Sequence, residues 1–326
     1  MEEAMRPTAE LTNADRDAML RAAVAAPSMH NTQPWRFRFT GRLVEVYRDR
    51  ERELPAEDPS RRMLFVSLGA AIFNLRVAAA ARGIGSQVRH LIDRRRPDLV
   101  AEIELCAPLT GPVAELAPYL TLRRTNREPF SEQRVPAQVR ALLRLSARVE
   151  GAELRWLDRQ SRRWWLRMAT NEAVIADDEN EARTAERRRW VGGDRDVDGV
   201  PSSALGPRIA GGETVVRELA ATDADAARPV ADFEREPQLA VLTTRYDGPI
   251  EWLRAGQAME RVLLEATAHT VSTSLLNQGL EHESLRWQIN DPLCEWQCAQ
   301  AVIRFGYGPP VPPTPRRPIA DVLIRD

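Results

Sequence analysis

The sequence has 326 residues, of which 43% are hydrophobic, and this is enough to bury a substantial core in one large domain or two smaller ones. Its 46 basic and 47 acidic residues nearly cancel, so the overall charge gives no reason to expect a nucleic acid or an anionic membrane as a partner. The sequence contains no lysine, so an arginine cluster is a weaker signal here than in most proteins.

The N-terminal residues lack the apolar stretch of a secretion signal, and no later segment is an uncharged run long enough to span a bilayer. We therefore expect a cytoplasmic protein. Three cysteines, Cys106, Cys294 and Cys298, are too few for a disulfide framework and are interpreted as reduced structural thiols. The four histidines include no helical pair at metal-ligand spacing, so no metal site is expected.

The first predicted helix covers residues 13–26, and Thr12 and Asp15 have the spacing of a capping box at its start. It ends at the motif PSMHNTQPW, residues 27–35. The next segment, WRFRFTGRLVEVYRD, alternates polar and apolar residues on both sides of Thr40-Gly41, which predicts a β-hairpin.

A long helix is predicted from Ser67 to Gly83, and a strand over residues 99–108. Because apolar or small residues occupy nearly every face of this helix, we expect it to be buried near the middle of the molecule. Residues 254–273 can be aligned with it so that Gly256 falls on Gly69, and a strand is predicted over residues 299–308. The alignment indicates an internal duplication, with a chance likeness of two alanine-rich helices as the alternative.

The second half opens with LRRTNREPF and a helix that starts at Pro136. From about residue 177 to about residue 236 the composition becomes charge-dense and then glycine-rich, which indicates either a disordered insertion or a functional lid. The apolar residues in this insertion favour a lid. Prolines stiffen the segment GYGPPVPPTPRRP, which predicts an extended arm with no helix before Ile319.

Two polar motifs carry chemistry. PSMHNTQPW places small hydrogen-bonding groups beside a large ring, which favours a flat ligand with polar edges. RRTNR, residues 123–127, interleaves a hydroxyl and an amide with guanidinium groups, a combination suited to a phosphate or to the edge of a heterocycle, although a solvated face is the alternative. The sequence has neither GxGxxG after a strand nor GxxxxGK[ST], which disfavours a Rossmann or P-loop site.

Together APSMHNTQPWRF, LRRTNREPFSEQRVP, the two alanine-rich helices and PTPRRPIADVL resemble the FMN-binding nitroreductase family, and more specifically its fused, double-length branch typified by the mycobacterial Acg proteins. The resemblance implies an α+β fold with a central, mainly antiparallel sheet flanked by helices. It also implies two nitroreductase-like halves, residues 1–113 and 114–326, with the lid-like insertion at about 177–236 in the second. The two halves would form an intramolecular pseudo-dimer.

In that family the arginine motif and a basic C-terminal pair of one subunit hold the FMN phosphate and pyrimidine edge, while PSxxNxQPW of the other subunit lies against the ring. Asn277 and Gln278 fall where the family brings the backbone close to the flavin N5 atom. The cofactor-binding residues implied are Ser28, Met29, His30, Asn31, Gln33, Arg123, Arg124, Thr125, Arg127, Asn277, Gln278, Arg316 and Arg317. Because each motif occurs in one half only, a single FMN per chain is predicted.

The resemblance implies an FMN-dependent oxidoreductase that passes a hydride from NAD(P)H to a nitroaromatic, quinone or similar small-molecule acceptor. No catalytic side chain is required, since the flavin carries the chemistry. One alternative is a protein that sequesters FMN under the insertion with little or no turnover, and another is a cofactor-free structural protein whose motif match is accidental. Both a monomeric pseudo-dimer and a homodimer remain open.

Overall fold

The computed structural model describes residues 10–90, 95–107, 111–158, 160–210, 227–289 and 298–325. These residues form two halves, each with a four-stranded antiparallel sheet and a long buried helix. The expected α+β fold with antiparallel sheets flanked by helices is confirmed, with one sheet in each half rather than one for the whole chain.

The first half begins with helix α1, Asn13–Val24, and its start is fixed by the predicted capping box between Thr12 and Asp15. The predicted hairpin follows and turns at Gly41, where φ is +58°. The strands of this half are β1, Trp35–Thr40; β2, Leu43–Arg48; β3, Gly85–His90; and β4, Leu99–Cys106. They pair in the order β1-β2-β4-β3.

The buried helix α2, Arg62–Ala81, begins earlier than the predicted Ser67. The reason is that the carboxylate of Asp58 accepts hydrogen bonds from the backbone N–H groups of Met63 and Leu64, which satisfies donors of the first turn. By length and a mean hydropathy of 1.8 this helix could cross a membrane, but 89% of that apolar window is buried inside the protein. It is a core helix.

The second half repeats the order of helix, two strands, helix and two strands. Its helices, including those of insertions, are α3, Ala137–Val149; α4, Gln160–Asp178; α5, Glu181–Trp190; α6, Pro249–Ala268; α7, Gln278–Glu281; α8, Glu283–Ile289; and α9, Ile319–Val322. Its strands are β5, Glu153–Trp156; β6, Arg208–Ile209; β7, Val230–Ala231; β8, Gln238–Thr244; β9, Ser272–Leu275; and β10, Cys298–Gly306. The long strands pair in the order β5-β8-β10-β9, which matches the first sheet when the strands are counted along the chain.

Helices α2 and α6 cross at Gly69 and Gly256, the two glycines that the sequence alignment superposed. A Cβ atom on Gly69 would lie 2.2 Å from the carbonyl oxygen of Leu253, and one on Gly256 would lie 2.0 Å from that of Val66. Only glycine permits this approach of two backbones. The aligned segment 254–273 is helical only to Ala268, because β9 follows it. An internal duplication agrees with these features and stays a prediction.

Helices α4 and α5 and the short strands β6 and β7 lie in the chain between β5 and β8, which pair directly with each other. The whole stretch is therefore inserted between neighbouring strands, and it contains the predicted lid-like segment at about 177–236. Residues 211–226 of that segment lie outside the described residues, as does Cys294.

Residues 307–318 form the predicted extended arm, and α9 begins at Ile319 as expected. The arm returns the chain to the first half, where Leu323 forms a bridge to Phe37 and the backbone N–H of Ile324 donates to the carbonyl of Phe37 at 2.8 Å. The last turn of the chain thereby covers the outer edge of β1.

Candidate functional site

A cavity of about 400 Å³ lies between the two halves. The first half contributes the end of α1, the turn of residues 27–31 and part of α2. The second half contributes residues 120–128, the end of β9, the C-terminal arm and part of residues 197–206, which we call the insertion loop. The two motifs singled out in the sequence therefore face one space.

Ten of the predicted cofactor-binding residues line this cavity: Ser28, Met29, His30, Asn31, Arg123, Arg124, Thr125, Arg127, Asn277 and Arg316. Three others lie behind its wall: Gln33, Gln278 and Arg317. The amide of Gln278 donates to Asp177, and the guanidinium of Arg317 donates to Asp49 at 3.1 Å. These two side chains brace the wall from outside the cavity.

The turn after α1 has an unusual backbone. His30, Asn31 and Gln33 have φ of +47°, +55° and +51°, in the left-handed region that side chains other than glycine rarely adopt. The hydroxyl of Ser28 holds the turn by accepting the backbone N–H of Gln33 at 2.9 Å. Such a conformation persists only where the surrounding contacts enforce it.

The side chains of Asn31 and Gln33 are bonded to other parts of the protein. Asn31 donates to the carbonyls of Gly199 and Pro315 and accepts from Arg316, at 2.9 to 3.0 Å. Gln33 donates to the carbonyl of Val197 and accepts the backbone N–H of Arg317. The polar cluster that the sequence suggested for a ligand therefore also fastens the insertion loop and the C-terminal arm.

The insertion loop touches both walls of the cavity. On one side the backbone N–H of Gly199 donates to the carbonyl of Asn31 at 3.2 Å. On the other side Arg127 donates to the carbonyl of Ala204 at 2.9 Å. Gly206 has φ of +72°, and a Cβ atom there would lie 2.5 Å from the carbonyl oxygen of Arg127. The loop thus spans the space between the halves, and sequence reasoning named none of its contact residues.

The opposite wall is strongly basic. Arg123 is almost fully buried and lies 3.3 Å from the carboxylate of Glu260, but its Nε and Nη1 atoms make no hydrogen bond within the described chain. Arg316 hydrogen-bonds to neutral oxygen atoms, among them Asn31 Oδ1 and the carbonyl of Ala25. The loss of water and the nearby charges of Arg123 and Arg124 lower the pKa of Arg316 to about 9. An anion placed in the cavity would relieve this repulsion.

Glu260, on α6, is the acidic group beside these arginines. It is fully buried, and burial raises its pKa to about 7, while the charge of Arg123 opposes the shift. A carboxyl that is partly protonated near neutral pH neutralises the arginines incompletely. The wall therefore keeps a net positive charge.

His30 has a buried acidic partner that the sequence did not indicate. Its Nε2 atom lies 2.5 Å from Glu57 Oε2, and Glu57 is fully buried in the segment between β2 and α2. Glu57 Oε1 accepts a hydrogen bond from Arg187 of the insertion at 2.8 Å. Within the described ranges no group of three or more histidine, cysteine, aspartate or glutamate side chains is placed to hold a metal ion.

No protein-family model matches the chain. It is 30% identical over 94% of its length to a Mycobacterium tuberculosis H37Rv protein named as a "putative NAD(P)H nitroreductase", of which it covers 90%. It is 29% identical over 93% of its length to another H37Rv protein, of which it covers 93%, named "putative NAD(P)H nitroreductase acg". A crystal structure of a "putative nitroreductase" from Anabaena variabilis superposes with a TM-score of 0.53 at 10% identity, over 92% of this chain and 90% of that one. The last likeness concerns the fold.

Proposed function

Since the chain belongs to the nitroreductase family, in the branch of the Acg-like mycobacterial proteins, we propose that it is an FMN-dependent oxidoreductase with one cofactor site per chain. When bound, FMN would accept a hydride from NAD(P)H and deliver it to a nitroaromatic, quinone or similar acceptor. The observation that carries the proposal is that the PSMHN turn faces the arginine wall across one cavity.

The residues present fit this cofactor. The cavity of about 400 Å³ lies within the usual range for small-molecule sites. The unbonded guanidinium nitrogens of Arg123 and Arg316 are buried donors that a phosphate or an anionic ring edge would satisfy. Thr125 and Ser28 add hydroxyl groups, and Met29 adds an apolar surface for a flat ring.

In this function the protein binds and orients the cofactor and excludes water from the site. Arg123, Arg124 and Arg316 hold the negative charge, and their fixed positive field favours a ring that becomes more negative on reduction. The insertion loop covers the space between the walls and limits the entry of water.

The first test is the absorbance spectrum of the purified protein, followed by anaerobic addition of NADPH and then NADH. We expect flavin bands that bleach at catalytic rates. Arg124→Ala and Arg316→Ala should each weaken FMN binding by about 10- to 150-fold, the effect of losing about 1.5 to 3 kcal/mol from a charged hydrogen bond. Arg144→Ala, at an exposed position of α3 outside the cavity, is the matched control. Full flavin content in both cavity variants would refute the assigned site.

A second candidate function is the holding of FMN with little turnover. It is favoured by the insertion loop, which is hydrogen-bonded to Asn31 on one wall and to Arg127 on the other. In that case the flavin bands would persist with both nucleotides and bleach with dithionite.

A further inference from the structure

One ring nitrogen of His30 is hydrogen-bonded to a described residue, and the other is not. Its Nε2 atom is bonded to Glu57 at 2.5 Å, while the residue as a whole is 7% exposed. Its Nδ1 atom makes no hydrogen bond to a described residue. Since His30 lines the cavity and Nε2 is held by Glu57, Nδ1 is the ring nitrogen left to bond a molecule placed there.

The partner of His30 is itself fixed on every side. Glu57 Oε1 pairs with Arg187, and the backbone N–H of Glu57 donates to Glu186 at 2.8 Å. Arg187 in turn pairs with the buried carboxylate of Asp177. A carboxylate anchored in this way fixes the orientation of the imidazole ring.

The strained backbone of His30 also indicates a functional role for this residue. A φ of +47° is unfavourable for a non-glycine residue, and asparagine would adopt it more readily than histidine. Strain of this kind is concentrated at functional positions. The other ionisable residues that line the cavity are arginines and two glutamates, Glu128 and Glu281. Imidazole is the side chain that both gives and takes protons near neutral pH.

We propose that His30 donates the proton that accompanies hydride transfer to the acceptor, and that Glu57 is its positioning residue. This proposal rests on the proposed function. A quinone acceptor would gain a hydride, which carries two electrons, from the reduced cofactor at one carbonyl oxygen. It would gain one proton from His30 Nδ1 at the other carbonyl oxygen, which completes the hydroquinone. The neutral imidazole is then reprotonated from solvent.

The test uses flavin-loaded protein reduced by dithionite, so that it does not depend on nicotinamide. Reoxidation is followed by stopped flow with a benzoquinone, which needs a proton, and with hexacyanoferrate(III), which takes electrons alone. His30→Gln keeps a donor toward Glu57 but cannot release a proton, and His30→Asn suits the left-handed backbone. We expect both variants to slow reoxidation by the quinone by about 100- to 10,000-fold and to leave that by hexacyanoferrate(III) unchanged.

A second readout does not use turnover. Long-range proton–nitrogen NMR spectra of histidine-labelled protein should show a proton on His30 Nε2, directed at Glu57, and Glu57→Gln should shift the Nε2 signal. Addition of 4-hydroxybenzoate, a hydroquinone-like probe, should move the Nδ1 signal.

Equal reoxidation of wild type and variants by the quinone would overturn the proposal, and so would an equal slowing with both oxidants, since that indicates a structural role. A wild-type protein that binds no FMN, or whose reduced flavin no quinone reoxidises, would instead overturn the proposed function and this inference with it.

Discussion

The ends of α1 and α3 occupy equivalent positions in the two halves, but of these two described helix ends it is that of α1 that lines the cavity between the halves. After α1 a long turn leads to β1, and the carbonyl of Ala25 accepts hydrogen bonds from Arg123 and Arg316 at 3.4 and 3.2 Å. After α3 the chain enters β5 within three residues, and the carboxylate of Glu150 pairs with two arginines. At the end of α3 a carboxylate of the chain fills the site. At the end of α1 the carbonyl of Ala25 is neutral and Glu260 neutralises the arginines incompletely, so positive charge remains available to a ligand.

The largest expected effect concerns the crossing that holds the two halves together. Gly256→Val should lower the free energy of unfolding by more than about 3 kcal/mol, because its side chain would collide with the backbone of α2. Urea unfolding measures this change. The control is Gly248→Ala, at the start of the same helix, where a Cβ atom would meet nothing within 4 Å. Similar stabilities of the two variants would show that the helices can separate at little cost.

A smaller effect is expected at the filled site. Glu150→Ala removes the partner of Arg76 and Arg261, whose nitrogens lie 2.6 and 2.9 Å from its carboxylate. Because the arginines are only partly shielded from water, we expect a loss of about 2 to 3 kcal/mol in unfolding free energy. The FMN content should not change, and a fall in flavin content would show that the two sites are not independent.

The smallest expected effect is the pH dependence of the unfolding free energy that Glu260 causes beside the cavity. Burial raises the pKa of Glu260 to about 7 from an ordinary value of 4.5. Its contribution to stability is therefore fully present below about pH 4.5 and is lost as the pH rises through about 7. Across this window the unfolding free energy of flavin-free wild type should fall by about 2 kcal/mol more than that of Glu260→Gln. Parallel pH profiles would contradict the buried, neutralised state of this carboxyl.

Local signals predicted the elements that make the walls. The capping box at Thr12, the hairpin turn at Gly41 and the proline that precedes α3 are short-range patterns, and each element starts or turns where its pattern indicated. The two glycines at the helix crossing were found by alignment alone. The grouping of the two polar motifs was predicted through the family resemblance, and the structure brings both to one cavity.

The contacts that complete the site were not predictable in this way. The sequence around Glu57 has no pattern that distinguishes it from an ordinary loop. The pairing of Glu57 with His30 and Arg187 joins three distant parts of the chain. Gln33 and Arg317 belong to the recognised motifs but face each other behind the wall. Such arrangements depend on which long-range hydrogen bonds satisfy a buried group, and single-residue patterns do not encode that choice.

The C-terminal arm also couples the cavity wall to the edge of the first sheet. Arg316 belongs to the cavity wall, and Leu323 and Ile324 cover the edge of the hairpin strand β1. Without residues 316–324, the first sheet would have an open edge and the arginine wall would lack one of its members. Release of the arm would therefore alter the cavity wall and expose the edge of β1 together, and an exposed strand edge is a surface to which other chains can pair.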